Sequence, residues 1–345
     1  MITIAGELGL TVTPGASPGV ETRAATPVLF IVVPCFNEEA VLPDTIAQLR
    51  AKMAGLVERH LVAPASRVLL IDNGSRDGTW RLIGEAHAAD PVVSGLQIAA
   101  NHGFQNGIVT GLMYARKLAD IAISIDADLQ DDIDAIDAMV EAYGRGFDVV
   151  YGVRSSRRSD SLPKRATAGL FYHLMTWLGA GTVHNAGDFR LLSARALDAL
   201  AEYDEVNLFL RGLVPLIGLP STTVEYARKR RTAGHSKFSP AKLVSFALDG
   251  ITSFSIRPIR VISALAILMF IGSLGMAIWF IVQRLLGDVV PGWASTVTSI
   301  WALGSFQLLA IGVVGEYVAK TYMESKRRPR VFVTGFIHTP PENPA

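Results

Sequence analysis

The sequence predicts an α/β fold: a mostly parallel sheet with helices on both faces, followed by an amphipathic interface helix and two transmembrane helices. Three observations predict it. Short β-rich runs alternate with helical stretches between residues 28 and 153, a polar cluster follows each of the first four runs, and two long uncharged apolar stretches lie towards the C-terminus.

The runs "VLFIVV" (28–33), "RVLLID" (67–72), "GLQIAA" (95–100), "IAISID" (121–126) and "DVVYGV" (148–153) read as strands. Amphipathic segments such as Leu42 to Arg59 lie between them, and strands spaced by helices indicate parallel pairing. In such sheets ligands collect at the carboxyl ends of the strands. The clusters "PCFNEE", "DNGSRDGT", "NHGFQNG" and "DADLQDD" follow the first four strands in turn. Four polar clusters brought to one edge of one sheet indicate a binding site rather than solvated turns.

The residue types restrict what is bound. There is no GxxxxGK[ST] loop and no GxGxxG after the first strand, so neither phosphate cradle built on a helix N-terminus is available. A diphosphate held here would need a metal bridge. In an extended segment residues i and i+2 point the same way, so Asp126 and Asp128 can share a cation. Their hard oxygen ligands suit Mg2+ or Mn2+. Asp131 and Asp132 are expected to cap the helix that starts near Ile133.

The stretches Val261 to Val282 and Trp293 to Gly315 carry no charge and each reaches the roughly 20 residues that span a bilayer as a helix. Arg257 and Arg260 precede the first, and "KRRPR" (326–330) follows the second, whereas the connecting "LLGDVVPGW" has no Lys or Arg. The positive-inside rule then places both chain ends and the large domain in the cytoplasm. The opening residues lack the pattern of a secretory signal and are expected to form a disordered tail. A single cysteine, Cys35, excludes an internal disulfide and reads as a small packed residue. With a formal net charge of +1 the chain carries 32 basic and 31 acidic residues, and no nucleic-acid partner is expected. The expected organisation is a tail (1–25), a catalytic domain (26–236), amphipathic juxtamembrane helices (237–258), two spans (259–320) and a C-terminal tail (321–345).

"VVPCFNEE", "IDNGSRDGT", "DADLQD", "GDFRLL" and "RTAGHSKFS", in this order and followed by two spans, resemble the polyprenyl-phosphate glycosyltransferases of glycosyltransferase family 2. That group includes the bactoprenol glucosyltransferases and, more distantly, dolichol-phosphate mannose synthase. The resemblance covers about residues 26 to 330. It implies a GT-A type, Rossmann-like fold that moves a sugar from a nucleotide diphosphate to a lipid monophosphate with inversion. By position, Pro34, Phe36, Glu38, Asp72, Asn101 and Asp126 would bind the nucleotide. Asp126, Asp128 and Gln130 would surround the metal, and Asp128, Asp188 and Arg190 would be catalytic. Arg154, Arg165, Arg231, Ser236 and Lys237 would hold the acceptor phosphate and the diphosphate. Three positions depart from the family pattern: Asn73 stands where a second aspartate is common, Ala100 where a basic residue is common, and "QDDID" replaces "QDPPE".

A lipid phosphate has a second pKa of about 6, like that of a phosphorylated side chain, and already offers an anionic oxygen. A strong general base is therefore not required, and Asp188 stays open as base, acceptor-orienting residue or salt-bridge partner of Arg190. The amphipathic stretch "SPAKLVSFALDGITSFSIRPIR" would lie in the headgroup plane and hold the site against the bilayer. The expected activity is transfer of a hexose, glucose as first choice, from UDP-glucose to undecaprenyl phosphate at the cytoplasmic face of a bacterial inner membrane. Two spans could also pack against other copies in a homo-oligomer. Alternatives are the same chemistry with mannose, galactose, N-acetylglucosamine or aminoarabinose, a processive polysaccharide synthase, and a non-catalytic scaffold. Neither the QxxRW segment nor the additional spans of a processive synthase are found.

Overall fold

The computed structural model describes residues 23, 25–155, 186–205, 210–227, 257–286 and 292–340. Eight strands form one sheet: β1 (Leu29–Cys35), β2 (Arg67–Asp72), β3 (Val93–Ile98), β4 (Ile121–Ser124), β5 (Val149–Arg154), β6 (Ala186–Ser193), β7 (Ser221–Tyr226) and β8 (Val333–Ile337). Their order is β7-β5-β6-β4-β1-β2-β3-β8. The four strands β4-β1-β2-β3 are mutually parallel, as expected. β6 runs antiparallel between β4 and β5, and β8 runs antiparallel along β3.

Successive residues of β1 point to opposite faces and enter different cores. Leu29, Ile31 and Val33 pack with α1 (Leu42–Glu58) and α4 (Ala135–Gly144), while Phe30 and Val32 pack with α3 (Phe104–Ala115), α5 (Ala194–Ala201) and α6 (Leu210–Leu216). α2 (Thr79–Ala89) lies on the α1 side through Ile83. β1 is therefore apolar throughout, as a strand covered on both faces must be.

α1 shows how sequence sets one of these helices. Pro43 sits in its first turn, where a missing N–H costs nothing. Leu42, Ile46, Leu49, Met53 and Leu56 recur at three- and four-residue intervals and are all buried. Each contributes roughly 1.5–3 kcal/mol by leaving water. The helix ends where Arg59 Nε donates to the Gly55 carbonyl at 2.9 Å and His60 turns to a φ of +56°.

α7 (Arg257–Leu286) and α8 (Trp293–Ser325) are long and apolar enough to cross a membrane. No described residue of their apolar windows, Ile259–Met276 and Ser299–Ser325, is fully buried by the protein. Ile267, Leu268, Trp301, Leu308 and Ile311 are each more than half exposed, a surface that water does not tolerate over such a length.

The segment expected as a C-terminal tail returns to the sheet. Ala99 N–H donates to the Phe332 carbonyl at 2.9 Å, and β8 then pairs Gly95 with Ile337 and Leu96 with Phe336. Phe336 lies 5.2 Å from the Tyr114 ring, and Ser94 Oγ is 2.9 Å from His338 Nδ1. This covers the edge of β3, which would otherwise offer unpaired backbone groups. Gly95 is required at the contact, because a Cβ there would meet Ile83 Cγ2 at 2.5 Å and Ile337 Cγ1 at 2.9 Å. Gly95→Val is expected to cost about 1–3 kcal/mol by overpacking, read as a lower Tm in detergent; an unchanged Tm would remove β8 from the stability of the domain.

Candidate active site

The site begins where β1 and β4 stop pairing. Their last pair is Val32 with Ser124, followed by Ile125 N–H donating to the Val32 carbonyl at 3.1 Å. On the other side, the Cys35 carbonyl accepts from Asn73 N–H at 2.9 Å. By the alternation of a strand, the backbone of residue 34 therefore faces β4. Proline fills that position. It has no N–H to leave unsatisfied, so β4 can peel away and open a crevice at the strand ends. Because β2 and β3 lie on one side of β1 and β4 on the other, this is also the point where the chain's order reverses, the usual ligand position in such sheets. Pro34, expected in the nucleotide pocket, is buried in the strand and shapes the crevice through its backbone.

The loops after β1 and β2 are tied together. Asn37 N–H donates to Ser75 Oγ at 3.0 Å, Glu38 N–H to Thr79 Oγ1 at 3.1 Å, and Arg76 N–H to Asn37 Oδ1 at 2.9 Å. Asn37 takes a φ of +53°, a conformation asparagine tolerates better than most residues. Phe36 and Glu38 are partly buried on this rim. Asp72 is buried beneath it, accepting from Ser75 N–H at 3.0 Å and from Gln97 Nε2 at 3.3 Å. Gly74, at φ +72°, lets the next loop approach, since a Cβ would lie 2.7 Å from Asn101 N. Asn101 Oδ1 accepts from Gly103 N–H at 2.8 Å and so shapes the turn into α3. Asn73 donates to the Gly103 carbonyl at 3.1 Å, so its amide also braces that loop.

The loop after β4 carries the acids. Thr45 Oγ1 on α1 donates to the Ala127 carbonyl at 2.6 Å, and Leu129 takes a φ of +43° with its side chain buried. A left-handed leucine costs about 1–2 kcal/mol, which burial of its side chain offsets. The turn brings Gln130 back to Asp128, its Nε2 donating to Oδ2 at 3.0 Å. Burial, together with the carboxylates of Asp188, Asp131 and Asp128, pushes the pKa of Asp126 up to about 7.

Asp131 does not cap α4, whose N-cap is Asp134 and makes no side-chain capping bond. It is buried and accepts from Tyr226 Oη at 2.6 Å and from Arg154 Nη2 at 3.4 Å. Arg154, expected at the acceptor phosphate, also donates through Nε to Tyr226 Oη at 3.3 Å. β5 and β7 are parallel and in register here, pairing Arg154 with Tyr226, which places this cluster beside the acids of the β4 loop.

Asp188 arrives from β6. Because β6 is antiparallel to β4, its beginning lies beside the carboxyl end of β4, and Ser124 Oγ donates to the Asp188 carbonyl. Arg190 donates to Asp188 Oδ1 at 2.9 Å, to the Gly187 carbonyl at 3.0 Å and to the Leu210 carbonyl at 3.0 Å. It is only 1% exposed and is buried behind Asp188. Arg211 on α6 holds the other carboxylate oxygen, Nη2 to Oδ2, at 2.8 Å. Burial alone would raise the Asp188 pKa, but the charges of Arg211 and Arg190 outweigh it and hold the carboxyl below its ordinary value.

The structure thus brings Asp126, Asp128, Gln130, Asp188 and Arg154 together, with Glu38 and Asn101 along the β1–β2–β3 rim and Asp72 buried beneath it. Arg165, Arg231, Ser236 and Lys237 lie outside the described residues, as does the expected interface helix up to Ile256. Sequence reading missed Arg211, Tyr226 and the role of Asp131. The only signal for Arg211 was a cation opening the apolar run "LRGLVPL".

A divalent cation suits this donor set. Asp126 is a carboxyl kept from ionising by burial and by three neighbouring acids, and a cation would relieve both. Among the described residues no three acidic, histidine or cysteine side chains form a complete metal site.

Residues 30–201 match the family model described as "Glycosyl transferase family 2". The chain is 47% identical over 308 residues to the uncharacterized glycosyltransferase YkoT of Bacillus subtilis (strain 168), covering 89% of this chain and 91% of the relative. It is 37% identical over 305 residues to the bactoprenol glucosyl transferase of Shigella phage SfV, covering 88% and 97%. A solved structure, mannosyltransferase PcManGT from Pyrobaculum calidifontis in complex with GDP-Man and Mn2+, is similar at a TM-score of 0.40 and 12% identity, covering 88% and 89%. That likeness is too remote to carry an argument about the site. With relatives well above 30% identity along most of its length, and with the sheet and acidic loop that the family model spans, the chain belongs to glycosyl transferase family 2.

Proposed function

We propose that the protein transfers glucose from UDP-glucose to undecaprenyl phosphate, inverting the anomeric carbon, at the cytoplasmic face of a bacterial inner membrane. The observation that carries this reading is 37% identity along almost the whole of a bactoprenol glucosyl transferase. The two apolar helices agree with it, because a lipid acceptor requires a site held at a bilayer.

The side chains divide the work. The rim of Phe36 and Glu38, with Asp72 beneath it, receives the nucleotide, and the laced loops after β1 and β2 fix its shape before substrate arrives. Asp126 and Asp128 would hold Mg2+ or Mn2+, and the bound ion would supply Lewis-acid neutralisation of the charge that develops on the leaving diphosphate. Gln130 orients Asp128, and Thr45 anchors the loop from α1. The acceptor needs no deprotonation, because its phosphate oxygen is already anionic. Asp188 accordingly is not arranged as a base, since two guanidinium groups stabilise its ionised form.

The direct test is transfer of radiolabelled sugar from a panel of nucleotide sugars to undecaprenyl phosphate by purified protein, with Mg2+, Mn2+ or chelator. A metal-dependent, acid-labile lipid product from UDP-glucose is the expected result. A product from another donor would change the sugar, and none from any donor would overturn the reading. Asp128→Asn is expected to keep its Tm and lose about 100- to 1,000-fold in kcat, the scale of one lost electrostatic stabiliser; near-wild-type turnover would remove Asp128 from the metal.

Asp126 also predicts a pH dependence. Its pKa rises from the ordinary 3.8 to about 7 on folding. Between these values the folded state keeps a proton that the unfolded state releases, so the stability from this group falls as pH rises and is at its lowest above 7. A cation meets the ionised site above pH 7 and must displace the proton below it. The rise in Tm produced by Mn2+ with UDP should therefore be larger at pH 8 than at pH 6. An equal rise at both would argue against Asp126 as a ligand.

A further inference from the structure

The guanidinium of Arg211 is a third cation beside the acids, and neither strand pattern nor motif pointed to it. It stands at the start of α6, and the carbonyl of the preceding Leu210 is fixed by Arg190. Leu210 N–H donates to Gln105 Oε1 at 3.3 Å, so α3 also holds this turn. Arg211 meets Asp188 with two of its nitrogens, Nη2 to Oδ2 at 2.8 Å and Nε to Oδ1 at 3.4 Å. The pair is unequal in exposure: 35% of the Arg211 side chain is accessible, against 8% for Asp188 and 1% for Arg190. The charge of Arg211 is felt by both Asp126 and Arg154, so it stands near the acids of the β4 loop. A buried carboxylate clamped between a buried arginine and an accessible one is built to aim the accessible one.

We propose that Arg211 binds the phosphate of the lipid acceptor and that Asp188 is the residue that positions it. This rests on the transferase reading above. The acceptor brings about two negative charges beside Asp126 and Asp128, and a planar guanidinium is suited to carry phosphate past that repulsion. In the transfer, an anionic oxygen of the lipid phosphate forms the new bond to the anomeric carbon. The bond from that carbon to the diphosphate breaks, and its electron pair leaves with the nucleotide. No proton moves, so Asp188 remains ionised throughout and keeps Arg211 in place.

The test uses the full-length protein in detergent with UDP-glucose, Mg2+ and a short polyprenyl phosphate. Arg211→Gln is expected to raise KM for the lipid phosphate about 10- to 100-fold, the scale of a lost charge-assisted contact. UDP affinity, measured by calorimetry, stays at the wild-type value. Arg211→Lys retains charge without the fork and falls between the two, and it also serves should the glutamine variant fail to fold. Asp188→Asn raises the same KM and adds little to Arg211→Gln in the double variant, because the two act as a unit. An unchanged acceptor KM in both arginine variants, or a parallel loss of UDP affinity, overturns the assignment. A loss of kcat alone in Asp188→Asn returns that residue to the role of base and likewise overturns it. If the wild-type protein transfers no sugar from any donor, the transferase reading fails instead; direct binding of the short polyprenyl phosphate to wild type and Arg211→Gln then decides this inference separately.

Discussion

The separation of β1 from β4 is the constraint on which the site depends. The two strands share a ladder only as far as Val32 and Ser124, and beyond it the chain must find other partners for its backbone. Proline at position 34 removes one demand, and Thr45 meets another by donating to the Ala127 carbonyl. What remains is a crevice walled by two rigid strands, with Asp126 and Asp128 on one lip and the loop from Phe36 to Glu38 on the other. Acidic groups placed there are held by the core itself, since Leu29 to Val33 and Ile121 to Ile123 are all almost completely buried.

Charge balance follows from that geometry. Four aspartates crowd the carboxyl edge, and burying carboxylates without compensation is costly. Asp131 is compensated by Tyr226 and Arg154, and Asp188 by Arg190 and Arg211. Asp126 is the member whose environment disfavours its charge: burial and three other acids raise its pKa, and the Arg211 charge opposes them. The protein thus leaves one local excess of negative charge where a cation and a diphosphate can meet. Arginines stand on the far side, where an incoming phosphate needs them.

The two long apolar helices are linked to the sheet by more than the chain entering them. After α8 the polypeptide passes Arg330, whose Nη2 donates to the Tyr203 carbonyl at 2.7 Å, and joins β3 as β8. The sheet therefore holds the chain on the far side of the apolar hairpin. Residues 204 and 205 follow directly on that carbonyl, so the end of α8 is tied to the segment that leads into α6 and Arg211.

Much of this was legible in the sequence. The five predicted strands match β1 to β5 within two residues at each end, and the polar runs after the first four stand at the predicted edge, because local alternation and turn chemistry act over a few neighbouring residues. The apolar helices were legible for the same reason, as length and absence of charge suffice. The sequence by itself thus determined the sheet's parallel centre, the acidic loop, the two long apolar helices and the family. Tertiary structure alone decided that β6 would enter antiparallel and carry Asp188 to the β4 edge, and that the supposed tail would close β3. It also decided that Asp131 would turn from a helix cap into a partner of Tyr226, 95 residues away, and that Arg211 would meet Asp188 across 23 residues. Those pairings depend on which strand ends up beside which and on how much water burial removes, and neither is encoded in the pattern of any one segment.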